Sequence, residues 1–303
     1  MDNLCHTLVG AAFGEAGLKR RTRFGSATLM IAANLPDLDV LVFTTDIPSV
    51  AFRRGWTHGT TAQLLLPIAL TAAMWAVDRI RPVRGDRTPI HVRSLLLLSY
   101  IGVLSHVALD LLNTYGVRLL MPFDGRWFYG DAMFIIDPWL WLALGAGVWL
   151  SRRRGVPTPA RRALVVAALY IATMCVTAGL AHDVVLDQWR TARGGEPLSV
   201  MVGPSPVTPF RREVIVDAGA HYETGTFDWL SARVTFASGR VPKNDRDLRL
   251  TQAREAPQIR GFLVWSRFPF WTFEAVPDGT RVTVGDMRFV GRGSPFVQSV
   301  VVR

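Results

Sequence analysis

His106 and Asp110 stand four residues apart inside the apolar run 94–112. On a helix that spacing puts imidazole and carboxylate on one face. A charged group inside such a run is costly, so it marks either a functional site or a paired network. Asp2 and His6 repeat the spacing in reverse order, and Asp37 and Asp39 follow Pro36, which interrupts regular helix and lets carboxylates converge. His58 lies in Arg54-Gly-Trp-Thr-His58-Gly, just ahead of the apolar run 60–77. Three imidazoles with two or three carboxylates form the ligand set expected for Zn²⁺ (with Mn²⁺ as the alternative) or for a two-metal site, water completing the coordination. Histidines paired with carboxylates in a purely structural network are the other reading of the same residues.

These residues need elements to bring them together. Residues 3–17 read as a short helix that ends at Gly17. Apolar runs follow at 25–43, 60–77, 94–112, 135–150 and 163–181. Several are shorter than the roughly 20 residues that span a bilayer comfortably. The formal charge of +10 would suggest nucleic acid in a soluble protein, but the arginines cluster between the apolar runs and the chain has only Lys19 and Lys243 as lysines. Basic residues in short loops fit cytoplasmic anchoring of a multi-pass bacterial inner-membrane protein, with the lipid bilayer as partner and no nucleic acid as a stable one. The acidic Asp2 precedes the first basic residues, the reverse of a secretory signal.

With loops 78–93 and 151–162 in the cytoplasm, the alternation of the runs places His6, Asp37, Asp39, His58, His106 and Asp110 on the outer, periplasmic face. Scattered core histidines have no reason to converge in that way. Cys5 and Cys175 form neither a metal pattern nor a disulfide framework and read as small buried side chains. Beyond residue 182 the texture changes to short β-branched or aromatic runs at 212–217, 231–238, 261–265, 270–275 and 281–290, separated by turn residues. The Pro-rich 204–209 reads as a linker or an extended lead-in. The predicted fold is an α-helical polytopic membrane domain over 1–181, followed by a small, mainly antiparallel β domain over 182–303.

The ordered set Asp2…His6, Leu35-Pro-Asp-Leu-Asp39, Arg54-Gly-Trp-Thr-His58, His106-xxx-Asp110 and Asp131…Ile136-Asp-Pro138 resembles the YdjM/YbcI-like membrane-bound metal-dependent hydrolases over about residues 1–150. That family is in turn remotely similar to the zinc-dependent phospholipase C and nuclease fold. The resemblance implies His6, His58, His106 and Asp110 as metal ligands, and Asp37 or Asp39 as a further ligand or the general base. One position departs from the pattern: Arg53 stands where many members carry a histidine.

Supporting roles are expected for Asp2, Asn113 and Asp131, while Asp137 before Pro138 reads as a helix cap. Arg53, Arg54 and Arg118 are candidates to hold an anionic substrate group such as a phosphate, or else to anchor the interface. The expected chemistry is hydrolysis of a small-molecule or lipid-linked phosphoester by metal-activated water. A non-catalytic metal-binding or transport protein is the alternative.

Overall fold

In the computed structural model, residues 1–45, 47–80, 89–290 and 296–303 are described. Half of the arginine-rich loop expected at 78–93, residues 81–88, lies outside them. The chain divides into two compact units, residues 1–39 with 54–176 and residues 40–53 with 177–303.

The first unit is helical. It begins with α1 (Asn3–Glu15) and α2 (Gly25–Ala32), after which a 3₁₀ segment (Leu35–Thr44) carries the chain into the second unit. It resumes with α4 (Thr60–Ile80), α5 (Val92–Leu111), α6 (Pro138–Arg154) and the start of α7 (Thr158–Arg193). The run 25–43 is therefore not one straight helix. Asn34, Pro36 and two aspartates divide it into α2 and the 3₁₀ segment, bent by 49°. Among the described residues α4, α5 and α7 are each long and apolar enough to cross a membrane, and the bent pair would make a fourth span. The run expected at 135–150 is α6, which starts at Pro138 and ends in three arginines. Asp137 caps it, accepting from the Leu140 amide at 3.0 Å.

Two close approaches hold the site helices. A Cβ on Gly102 of α5 would come within 2.4 Å of Ala32 Cβ in α2, and one on Gly10 of α1 within 2.7 Å of the Leu29 carbonyl. Below them Ala32, Leu70, Met74, Leu95 and Val103 from α2, α4 and α5 form one buried cluster.

In the second unit a short helix, α3 (Ser49–Phe52), packs with α9 (Pro257–Trp265). Strands β1 (Ser199–Pro204), β2 (Arg211–Asp217), β3 (His221–Asp228) and β4 (Arg233–Pro242) form an antiparallel sheet in chain order. A second antiparallel sheet contains β5 (Pro269–Val276), β6 (Gly279–Asp286) and β7 (Val297–Val302). The Pro-rich 205–210 connects β1 to β2. Ala181, Val185 and Trp189 from the end of α7 pack on Val200, Val202, Val214, Val216 and Phe227 of the first sheet.

One expected strand is a helix. Residues 261–265 belong to α9, where Pro257 occupies the first turn and Ile259, Phe262 and Trp265 are all buried. Their three-residue spacing follows a helical face rather than strand alternation. α8 (Arg249–Ala253) precedes it.

Two predictions follow from this packing. Gly102→Val should force α5 off α2, lowering thermal stability and metal content together in detergent-purified protein. The second concerns Asp286, buried beside Arg288, whose Nε lies 2.8 Å away. Burial alone would raise the Asp286 carboxyl, yet the Arg288 charge and hydrogen bonds from Arg288 and Ser266 hold it below its ordinary value. A depressed folded-state pKa gives stability that is complete above the ordinary carboxylate range and lost as pH falls through the lower folded value. Asp286→Asn should cost about 3–5 kcal/mol by leaving Arg288 buried and unpaired. It should also flatten the acid limb of the unfolding profile below about pH 4, as followed by intrinsic fluorescence.

Candidate metal centre

α5 supplies the centre of the site. His106 and Asp110 lie one turn apart on it and both are fully buried. His58 precedes α4, also at zero exposure, and Asp37 enters from the 3₁₀ segment at 8 %. Ligand atoms of Asp37, His58, His106 and Asp110 all fall within 4.8 Å of one another. His58 Nε2 is 3.1 Å from His106 Nε2 and 3.4 Å from Asp110 Oδ2. His106 Nε2 is 3.6 Å from Asp110 Oδ2 and 3.8 Å from Asp37 Oδ1.

Hydrogen bonds on the far side of each ring decide which nitrogen carries the proton. His106 Nδ1 lies 2.7 Å from the Ala33 carbonyl, an acceptor, so Nδ1 donates and Nε2 keeps its lone pair. Thr57 Oγ1 donates to Asp39 Oδ2 at 3.0 Å, so at 2.9 Å it accepts from His58 Nδ1. His58 Nε2 is left with its lone pair as well. Two imidazole lone pairs and a carboxylate oxygen thus point into one dry volume. Without a cation they repel one another. With one, Zn–N and Zn–O bonds of about 2.0–2.1 Å imply tetrahedral ligand–ligand edges of roughly 3.3 Å, close to the observed separations. The donor set therefore fits a divalent metal, and Thr57, Asp39 and Ala33 form the outer layer that fixes the rings.

The other expected residues fall around this group. His6 stacks on His106 with ring centroids 3.8 Å apart, and its Nε2 is 3.2 Å from both Asp110 Oδ1 and the Met1 carbonyl. Both neighbours are acceptors, so in this geometry His6 Nε2 is a donor that holds Asp110. Its Nδ1 is buried and without a partner. Asp39 accepts from the Arg54 amide at 2.7 Å in addition to Thr57.

Arg54 is 3 % exposed. Its Nε lies 2.8 Å from Asp110 Oδ2, and its Nη1 donates to Asn113 Oδ1 at 2.6 Å. Arg53 belongs to the second unit, where its guanidinium lies over the Phe43 ring. Arg118 lies over Trp127, and its Nε donates to the Gly125 carbonyl at 3.0 Å. Asp2 caps α1 through the Leu4 and Cys5 amides and accepts from Trp141 Nε1 at 3.1 Å. Asp131, at φ 48°, stands in the segment that the Leu112 carbonyl pins through the Ala132 and Met133 amides.

Three participants escaped the sequence reading. Thr57 is one residue from His58 and could have been found as its orienting partner. The Ala33 carbonyl has no side-chain signature. The Met1 amino group, which is hydrogen-bonded to Asp110 Oδ1, has none either.

Helices fit to cross a membrane, together with a buried His/Asp group that could hold a metal ion, define an integral membrane protein with a candidate metal centre. The chain belongs to the YdjM inner membrane protein family, whose model matches residues 1–183. Over 316 aligned residues it is 23 % identical to the uncharacterized protein YfhP of Bacillus subtilis (strain 168), an alignment covering 99 % of this chain and 90 % of that protein. No solved structure matches the chain.

Protein purified in detergent without chelator should carry stoichiometric zinc or manganese by plasma mass spectrometry. The His106→Ala, Asp110→Ala double variant should carry none. Thr57→Val, which leaves every donor atom of the group in place, should weaken metal affinity roughly 10–100-fold.

Proposed function

We propose that this protein is a membrane-bound metal-dependent hydrolase in which His58, His106 and Asp110 hold the ion and Asp37 stands at the open position. One observation carries the reading. His58, His106 and Asp110 lie 3.1–3.6 Å from one another at zero exposure, whereas Asp37 Oδ1 is 3.8 Å from His106 Nε2 and Asp37 is the one member of the group with measurable exposure. Three protein ligands and a fourth, accessible corner are the arrangement of a catalytic rather than a structural site. When bound, the ion supplies an acidified water as nucleophile and an electropositive centre for the charge that develops on the attacked group.

Asp37 accepts the proton that the water gives up. Asp39, held by Thr57 and the Arg54 amide, fixes the His58 ring. His6 and Arg54 orient Asp110 from two sides. Asn113 receives Arg54 Nη1 and the Tyr115 amide on Oδ1, which leaves Nδ2 as a buried donor without a partner. Such a donor is costly unless an acceptor arrives, and a substrate oxyanion is the acceptor a phosphoester brings. Leu38, beside Asp37, and Trp56, near His58, are each about half exposed, a setting that suits a lipid-linked substrate. The loops rich in arginine face the cytoplasm in this reading, and the site faces the periplasm.

The metal-loaded protein should hydrolyse a chromogenic phosphodiester or a short-chain phospholipid. Asp37→Asn should keep the metal and lose about 10²–10⁴-fold in kcat. Asn113→Asp, which replaces the free donor by an acceptor, should raise KM as well as lower kcat. Metal loss in Asp37→Asn would indicate a closed four-ligand site instead. Metal-replete protein inert toward phosphoester, ester and amide probes would sink the hydrolase reading.

A further inference from the structure

The end of α6 and the start of α7 carry Arg152, Arg153, Arg154, Arg161 and Arg162. Three of them are engaged within the first unit. Arg152 pairs with Glu15 at 2.9 Å, Arg161 Nε donates to the Ala16 carbonyl at 2.8 Å, and Arg153 lies over the Trp149 ring. Arg154 and Arg162 have no ion pair or hydrogen bond among the described residues. Both line a cavity of about 280 Å³ between α6 and α7, whose remaining wall is small or apolar and includes Ala143, Ala146, Ala163 and Val166. The slot exists because the two helices touch at a glycine. A Cβ on Gly147 would come within 2.2 Å of Ala163 Cβ, and alanines flank that contact on both helices.

The cavity combines two unneutralised guanidinium groups with an apolar slot, in a protein of an inner-membrane family. Guanidinium groups match phosphate oxygens, and basic pockets between membrane helices take anionic lipid headgroups. A free phosphate would leave the alanine-lined part of the slot unused. A third helix, about 10 Å across with its side chains, does not fit between two helices in contact. We propose that this groove holds one anionic phospholipid, its phosphodiester between Arg154 and Arg162 and part of an acyl chain along Ala143 and Ala146. The site is independent of the metal centre and of the hydrolase reading.

Delipidated full-length protein in neutral detergent, titrated with phosphatidylglycerol or phosphatidylcholine of the same acyl chains and read by native mass spectrometry, tests the proposal. Wild type should bind phosphatidylglycerol roughly tenfold more tightly, and Arg154→Gln with Arg162→Gln should abolish that preference. Ala146→Phe, which keeps both arginines but fills the slot, should weaken phosphatidylglycerol binding as well. Thermal unfolding shows that each variant is folded, and Ala143→Phe replaces Ala146→Phe if the latter is not. Glycerol 3-phosphate at equal concentration should not displace the lipid. Equal binding of the two lipids by wild type overturns the proposal. So does unchanged binding in the arginine variant or in a folded slot-filling variant, or displacement by glycerol 3-phosphate.

Discussion

The repulsion among lone pairs in a dry volume is the constraint around which the first unit is organised. His58, His106 and Asp110 each turn an electron pair inward, and all three are at zero exposure. Burying charge and unpaired acceptors costs several kcal/mol per group unless a partner of opposite sign is supplied. The surroundings answer that cost in two ways. Arg54 and the Met1 amino group bring positive charge to Asp110, and the outer hydrogen bonds on the two rings keep their lone pairs aimed at one point. The close helix contact at Gly102 meets the same demand, because it brings the Ala33 carbonyl within reach of a ring on α5.

The second unit meets its own polar requirements separately. Its buried Asp286 accepts from the Ser266 hydroxyl and from the Arg267 and Phe268 amides, and it pairs with Arg288. The core of its first sheet buries polar groups as well: Arg212 Nη2 donates to Thr177 Oγ1 at 3.3 Å, Glu223 accepts from Arg193, and the Tyr222 hydroxyl donates to the Pro269 carbonyl. α7 contributes to both units as one unbroken helix, its apolar first part belonging to the helical unit and Ala181, Val185 and Trp189 to the sheet.

Much of this was legible in the sequence, for physical reasons that differ from residue to residue. The four-residue spacing of His106 and Asp110 is a helical-face signal that needs no tertiary information. Asp137 before Pro138 likewise announces a cap from local chemistry alone. The break at Pro36 was visible, but its outcome, a 3₁₀ segment bent by 49° from α2, depends on where the surrounding helices need Asp37 and Asp39. Gly261–Trp265 misled because β-branched and aromatic residues favour strands, whereas the burial of Ile259, Phe262 and Trp265 at helical spacing prevailed. The division of Arg53 and Arg54 between the two units was not legible at all. Neighbouring arginines look alike until Arg54, at φ 54°, turns its side chain onto Asp110.

The spread of the site along the chain has a consequence for biosynthesis. His6 meets Asp110 across 104 positions, and His58 meets His106 across 48. Contacts of such separation form late, after the loop-closure entropy between them has been overcome. During synthesis Asp37, Asp39 and His58 all emerge before α5 exists to receive them. The four-residue pocket is therefore complete only once the chain has been made as far as Asp110. An ion held by all four residues would report that α5 has docked beside Asp37 and His58.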